Sequence, residues 1–555
     1  MRPMTHECPT GKLQIKSLNS LATYLLLRNY YYSFWQSLRM TDNSDEHLEP
    51  DSGYQSPYEP SSPVEPVEAE VVRDLGPSLQ LRSQNPLSIS GYISWLVVLA
   101  LTLGITSLVA TTQFLAEEQI GGDASSMDLM QVQLQGKFVV GQQELAKSAP
   151  GAPPTQLPPE LDAGCYEQRI CYSIILNEVE SPAEALQYLE DLDAKVDEHQ
   201  LELTDDQTRM REVVHELLGN YESGNPDSNA LSESDRTFLQ DKLGWLGKLS
   251  LYPSNSPHKL ERSAIVGAAW KLTIGGLIAM LLILLAGLAG LFISFGFIAM
   301  IFSGNLKSNF ANHPTDHNIY IETFAIWISC FFGASLLMPL LGIENSAIQM
   351  LLQPAIFFGS LLALLWPVFR GVSFAQVKHD IGWTFTNPLK EIGCAAAAYL
   401  ALLPWLIPGL ILVVVIMMLF GFGGQAHEFA RQSAPGHPIQ EDIMSGDVVT
   451  ICFVFLATCV AAPVVEETMF RGVLYRHLRD LTSVWKQWTS VAFAAIANGL
   501  IFAAIHPQGL VAIPVLTSLA IGFTLTRQWR GSLLASMTMH AIHNFLVTCV
   551  SLLIL

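Results

Sequence analysis

Apolar residues along this chain come in long unbroken blocks, not in the short periods of a water-soluble domain. A bilayer core of ~30 Å takes about 20 apolar residues of helix to cross. Nine stretches are candidates, at about 93–116, 272–303, 319–341, 347–369, 392–420, 448–470, 491–505, 510–526 and 533–555. The second is long enough to tilt strongly or to include an interfacial turn. The seventh and eighth are short and meet at His506-Pro507. Two polar regions flank the first run. In residues 1–91, Pro50, Pro57, Pro60, Pro63 and Pro66 recur among Ser and Glu, which is linker composition. Residues 13–38 are richer in Leu and Tyr, but Arg28 interrupts them and no small-residue cleavage site follows, so no signal peptide is expected. Met40 opens the polar stretch and is a second candidate start. Residues 117–262 read as helical, for example over 182–199 and 205–221, with acidic faces and modest apolar stripes.

Composition sharpens that division. Half of the 555 residues are apolar, 14% are charged and the mean hydropathy is +0.32, against about a quarter charged in soluble domains. Residues 1–91 hold 11 acidic and 7 basic side chains, residues 117–262 hold 27 and 11, and residues 263–555 hold 12 of each. No basic footprint for nucleic acid exists. The fold class expected is an all-α polytopic membrane protein. Its parts are a disordered leader (1–91), a transmembrane helix (92–116), an acidic, mainly helical soluble domain (117–262) and a membrane bundle (263–555).

Lysine and arginine in the short loops set the expected orientation. One set of loops carries Lys307, then Arg370, Lys378 and Lys390, then Arg476, Arg479 and Lys486, then Arg527 and Arg530; the opposite set carries Arg431 and little else. This favours a cytoplasmic N-terminus and an extracytoplasmic acidic domain, for which a protein partner is the expected role. Cys165 and Cys171 in that domain are six apart, a spacing open both to a short-loop disulfide and to two unpaired thiols. The other six cysteines are scattered and show no metal-ligand spacing.

Ionisable groups inside a bilayer are costly and call for a reason. The sixth run ends in Glu466-Glu467-Thr-Met-Phe-Arg471. Neighbours on a helix point about 100° apart, so the two carboxylates face different ways. Glu467 and Arg471 are i,i+4 with the acid first, the better order for an ion pair, which leaves Glu466 as the candidate base. Phe502 and His506 share a helix face at the end of the seventh run, as do His540 and Asn544 in the ninth. A carboxylate, two imidazoles and an amide on three helices suit peptide hydrolysis: an acid takes a water's proton and donors meet the oxyanion. Each residue also has a plainer reading. Glu467 and Arg471 form an interfacial ion pair, Glu466 snorkels, His506 caps a helix, and His540 and Asn544 bond between helices. His543 is assigned to packing or support, and His313, His317, His427 and His437 to loops.

Glu466-Glu467-x-x-x-Arg471, Phe502-x-x-x-His506 and His540-x-x-x-Asn544 together resemble the signature of the CAAX-protease and bacteriocin-processing family, which includes type II CAAX prenyl endopeptidases and lysostaphin-resistance-like proteins. The resemblance implies an eight-helix intramembrane protease bundle, supplied here by residues 263–555, with one extra transmembrane helix and the acidic domain as additions. It implies that Glu466 and His506 activate water, that His540 and Asn544 form the oxyanion hole, and that Glu467 and Arg471 support the site. The substrate implied is a peptide or membrane protein at the bilayer; no prenyl-binding feature is visible. No metal is favoured, although Glu466, His506 and His540 would make a His₂Glu zinc set. The alternatives are a non-catalytic membrane scaffold, a bacteriocin-immunity protein and a proton-coupled transporter. With the helices bounded as above, Glu466 and His506 differ in depth by ~10–20 Å; the expectation is that the helices run past these boundaries, or that His506 sits at the mouth of a water-filled cavity.

Overall fold

The computed structural model describes residues 87–115, 126–148, 161–310 (163 and 199 excepted), 316–337, 346–419 and 448–554, with a few isolated positions between 124 and 158. The proline-rich leader, Met40, His313, His427, His437 and Arg431 lie outside these residues. Among the described residues every regular element is helical.

Helix α1 (Ile89–Leu115) precedes five helices of the acidic region: α2 (Ser126–Lys147), α3 (Tyr166–Val179), α4 (Pro182–Glu198), α5 (Asp205–Glu222) and α6 (Glu233–Ser250). The apolar stripes Leu189, Leu192, Val196 and Val213, Val214, Leu217 close on Ile170 and Ile174 as one core. Local polar residues start the helices. Thr204 Oγ1 accepts from Gln207 N at 3.3 Å while Gln207 Oε1 accepts from Thr204 N at 3.0 Å, a reciprocal cap. Ser232 Oγ accepts from Asp235 N at 3.1 Å. Gly244 kinks α6 at φ +55°, and a Cβ there would lie 2.8 Å from the Gln133 side chain. Cys165 and Cys171 are free thiols; burial pushes both thiols up, Cys165 to about 12.

Helix α7 (Lys259–Phe302) is one uninterrupted helix of 44 residues, roughly 66 Å at 1.5 Å per residue. No proline breaks it, so the second apolar run contains no interfacial turn. Its first turns belong to the acidic core through Val266 and Ala269. Arg262 donates to Glu178 Oε2 at 3.0 Å and to the Tyr252 carbonyl at 2.6 Å. The rest is apolar and largely exposed, from Leu281 to Leu285 without interruption, as a lipid-facing helix is.

The remaining elements are α8 (His317–Leu337), α9 (Ser346–Ser360), α10 (Leu365–Phe369), α11 (Phe374–Ile381), α12 (Pro388–Leu402), α13 (Leu406–Leu419), α14 (Val448–Leu481), α15 (Gln487–Ala504), α16 (Ile513–Arg530) and α17 (Leu533–Ile554). Eight helices among the described residues are long and apolar enough to cross a membrane. The run at 347–369 departs from expectation. Pro354 lies within α9, and the segment Pro354–Phe369 bends by 118° into α11 across Gly371, whose φ of +93° only glycine adopts at little cost. It is a broken or re-entrant span. The first helix packs into the bundle: Val98 of α1 is fully buried in the core that contains Phe324, Phe470 and Phe502.

Candidate active site

The sixth apolar run continues beyond residue 470. Helix α14 spans 34 residues, Val448–Leu481, and Glu466 stands near its middle. The apparent depth mismatch came from reading Arg471, Arg476 and Arg479 as a membrane boundary, whereas all three are buried. Two wide π segments, Ala457–Ala461 and Glu467–Leu474, flank Glu466 on this helix. Such turns disturb the i→i+4 ladder and release carbonyls for other donors. Asn498 Nδ2 of α15 donates to the Phe470 carbonyl at 2.7 Å, and Asn544 Nδ2 of α17 donates to the Thr458 carbonyl at 2.7 Å.

The three motifs meet at Glu466. His506 Nε2 and His540 Nε2 lie 3.8 and 3.9 Å from Glu466 Oε2, an oxygen that is buried and has no hydrogen-bond partner. Both rings are fixed through their other nitrogen. His506 Nδ1 is 2.5 Å from the Phe502 carbonyl and His540 Nδ1 is 3.1 Å from Glu467 Oε1. A carbonyl and a carboxylate only accept, so each Nδ1 carries a proton and each Nε2 faces Glu466. The side chains of Glu466 and His506 are 17% and 18% exposed.

Glu467 and Arg471 are fully buried and paired at 2.9 Å. The guanidinium also donates to the Ala520 carbonyl at 3.2 Å and packs over Phe502 at 4.5 Å and Phe523 at 5.2 Å. Phe523 in turn stacks on His540 with centroids 5.0 Å apart. An ion, a hydrogen bond and two aromatic faces thus hold one imidazole. His543 points elsewhere, to the Tyr399 hydroxyl at 3.2 Å. The sequence argument missed Asn498 and Phe523. A lone polar residue inside the seventh apolar run was the available sign for Asn498.

As a metal site the donor set has suitable chemistry, with two imidazole nitrogens, a carboxylate, and Glu467 behind one imidazole. Its spacing is wider than the roughly 3.3 Å between ligands that tetrahedral zinc with ~2.0–2.1 Å bonds would impose. Among the described residues no group of three His, Cys, Asp or Glu side chains is placed to hold a metal ion.

Neither a curated protein nor a solved structure matches the chain. The sequence pattern of one family does, described as type II CAAX prenyl endopeptidase Rce1-like, over residues 448–546. That segment begins with α14 and ends within α17, so it includes all three motifs and the whole Glu466–His506–His540 cluster. At the level of the family, the activity is that of a CAAX intramembrane protease. Over residues 448–546 this multi-pass membrane protein is similar to the Rce1-like type II CAAX prenyl endopeptidase family.

Proposed function

We propose that the chain is a glutamate-type intramembrane endopeptidase acting on peptides or membrane-anchored proteins near the bilayer surface. The convergence of Glu466, His506 and His540 from three helices carries this reading. Groups 3.8–3.9 Å apart can share one water lying off the line between them. Glu466, assisted by His506 Nε2, takes a proton from that water while the oxygen adds to the peptide carbonyl carbon. The C=O electron pair moves to oxygen. When the oxyanion collapses, the C–N bond breaks and the proton held by Glu466 passes to the leaving amine.

His540, its ring fixed from behind by Glu467, is the imidazole that meets the oxyanion. The Asn544 amide is anchored to Thr458 by one N–H and brings its second N–H to the same oxyanion. If a zinc ion were used, Glu466, His506 and His540 would hold it, and it would supply Lewis-acid activation of the water. The loop charges support a cytoplasmic N-terminus and an extracytoplasmic acidic domain that receives a protein partner.

The test is cleavage of a membrane-anchored peptide by purified protein in detergent, with and without a chelator. Glu466→Gln is expected to lower turnover by roughly 10²–10⁴, the range for losing a general base, with wild-type cleavage retained under chelation. Loss under chelation with recovery on added zinc would transfer the reaction to a metal. Equal turnover by wild type and Glu466→Gln would remove Glu466 from the mechanism.

A further inference from the structure

Helix α1 lies outside the family-matched segment 448–546, yet it is bonded to that segment at both ends of its path. Near its start, Trp95 Nε1 donates to His477 Nε2 at 2.9 Å; just before the helix, the Ser88 amide donates to Asn318 Oδ1 of α8, outside that segment, at 3.0 Å. Gly91 makes that approach possible, because a Cβ there would lie 2.4 Å from Asn318 Oδ1. Near its end, the Thr106 hydroxyl stands 2.8 Å from the Ala504 carbonyl and 2.8 Å from its own helix carbonyl at Thr102. Ala504 is the last residue of α15, where carbonyls have no partner within the helix. Two residues later comes His506, carried on a turn that closes at Gly509 with φ +81°. The short helix Leu510–Ala512 beyond this turn also packs against α1.

We infer that Thr106 is a positioning residue for His506: α1 fixes the turn that holds this imidazole against Glu466, so the working site extends beyond the matched segment to the N-terminal membrane helix. The inference rests on the endopeptidase reading for its kinetic consequence, but not for its geometry. The backbone of His506 follows α15 by Ile505 N to the Ile501 carbonyl at 3.3 Å and His506 N to the Ala503 carbonyl at 3.2 Å. These are the bonds of a loosening last turn. The cross-helix bond from Thr106 grips that turn from outside, and α1 is itself anchored at Trp95, so a displacement of α1 reaches His506 without passing through α14 or α17.

The experiment uses the full chain in detergent and four variants: Thr106→Val, which keeps the shape and removes the hydroxyl; Thr106→Ser, which restores it; Thr111→Val, which removes only a bond to the Ser107 carbonyl of the same helix; and Glu466→Gln. Thr106→Val is expected to lower kcat roughly tenfold with KM within about twofold, in keeping with the sensitivity of catalysis to small misplacements. Thr106→Ser should recover most of it and Thr111→Val should match wild type. A second readout needs no turnover: the rate at which diethyl pyrocarbonate modifies His506, followed by peptide mass spectrometry. Thr106→Val should speed that modification severalfold. Unchanged modification of His506 in Thr106→Val overturns the inference, as does a kcat equal to wild type in an active enzyme, or equal losses in Thr106→Val and Thr111→Val. Absence of cleavage by wild type would instead defeat the endopeptidase reading, and the modification rates would still decide the role of Thr106.

Discussion

The acidic domain and the motif-bearing membrane helices solve the same problem in opposite ways. Each must find partners for backbone groups that a helix leaves open. In the acidic domain the partner is three residues away: Thr204 for Gln207, Ser232 for Asp235. In the membrane the partners come from other helices: Asn498 for Phe470, Asn544 for Thr458, Thr106 for Ala504. Water backs up the first kind of closure and is absent from a bilayer core for the second. A lost cap in the acidic domain is therefore a local event, whereas a lost amide in the bundle uncouples two helices that share the site.

The sharpest way to break this contrast is at the buried ion pair. Arg471→Met leaves the Glu467 carboxylate uncompensated, which costs about 3–5 kcal/mol where such pairs are broken on one side; unfolding in detergent should show it, with cleavage abolished. The double variant Glu467→Gln with Arg471→Met should recover much of the stability and none of the activity, because His540 loses its anchoring carboxylate. Next in size, Asn498→Ala strands the Phe470 carbonyl, a loss of about 1–3 kcal/mol, and should lower kcat although Asn498 has no place in the chemistry. If stability falls but kcat holds, the wide turn of α14 is structural only. Thr204→Ala should cost about 0.5–2 kcal/mol in the acidic domain and leave peptide cleavage unchanged; a change in kcat would mean the two regions are not separable.

The smallest effect concerns pH. Asp235 is held below its ordinary value by the Ser232 hydroxyl and then by Arg209. Since the folded-state value is the lower one, its contribution is present above the unfolded carboxylate value and fades as pH falls through the folded one. The carboxylate is only partly buried, so the loss is slight; comparing the acid unfolding of wild type and Asp235→Asn would detect it.

Much of this arrangement is legible in the chain, and the failures share a cause. Glu466, His506 and His540 stand out because ionisable groups are rare in apolar runs, and their convergence follows from three motifs on three helices. The end of α14 was misplaced because a window of hydropathy treats Arg471 or Arg476 as a boundary, while the fold buries them against Glu467 and Asp480. The bend was hidden because it falls at Gly371, just past the apolar run that ends at residue 369. Asn498 and Thr106 escaped notice because each serves a carbonyl on another helix, and no periodicity along one helix encodes such a pairing.

The unbroken course of α7 has one more consequence. A helix turns about 100° per residue, so a single rod entering both the acidic core and the bilayer indexes the angular heading of one against the other. The acidic domain is mounted as on a keyed shaft, not hung on a tether. One residue added to α7 between Thr273 and the lipid-facing stretch would work as a quarter-turn of that shaft, and seven added residues would nearly restore the original heading at a greater height.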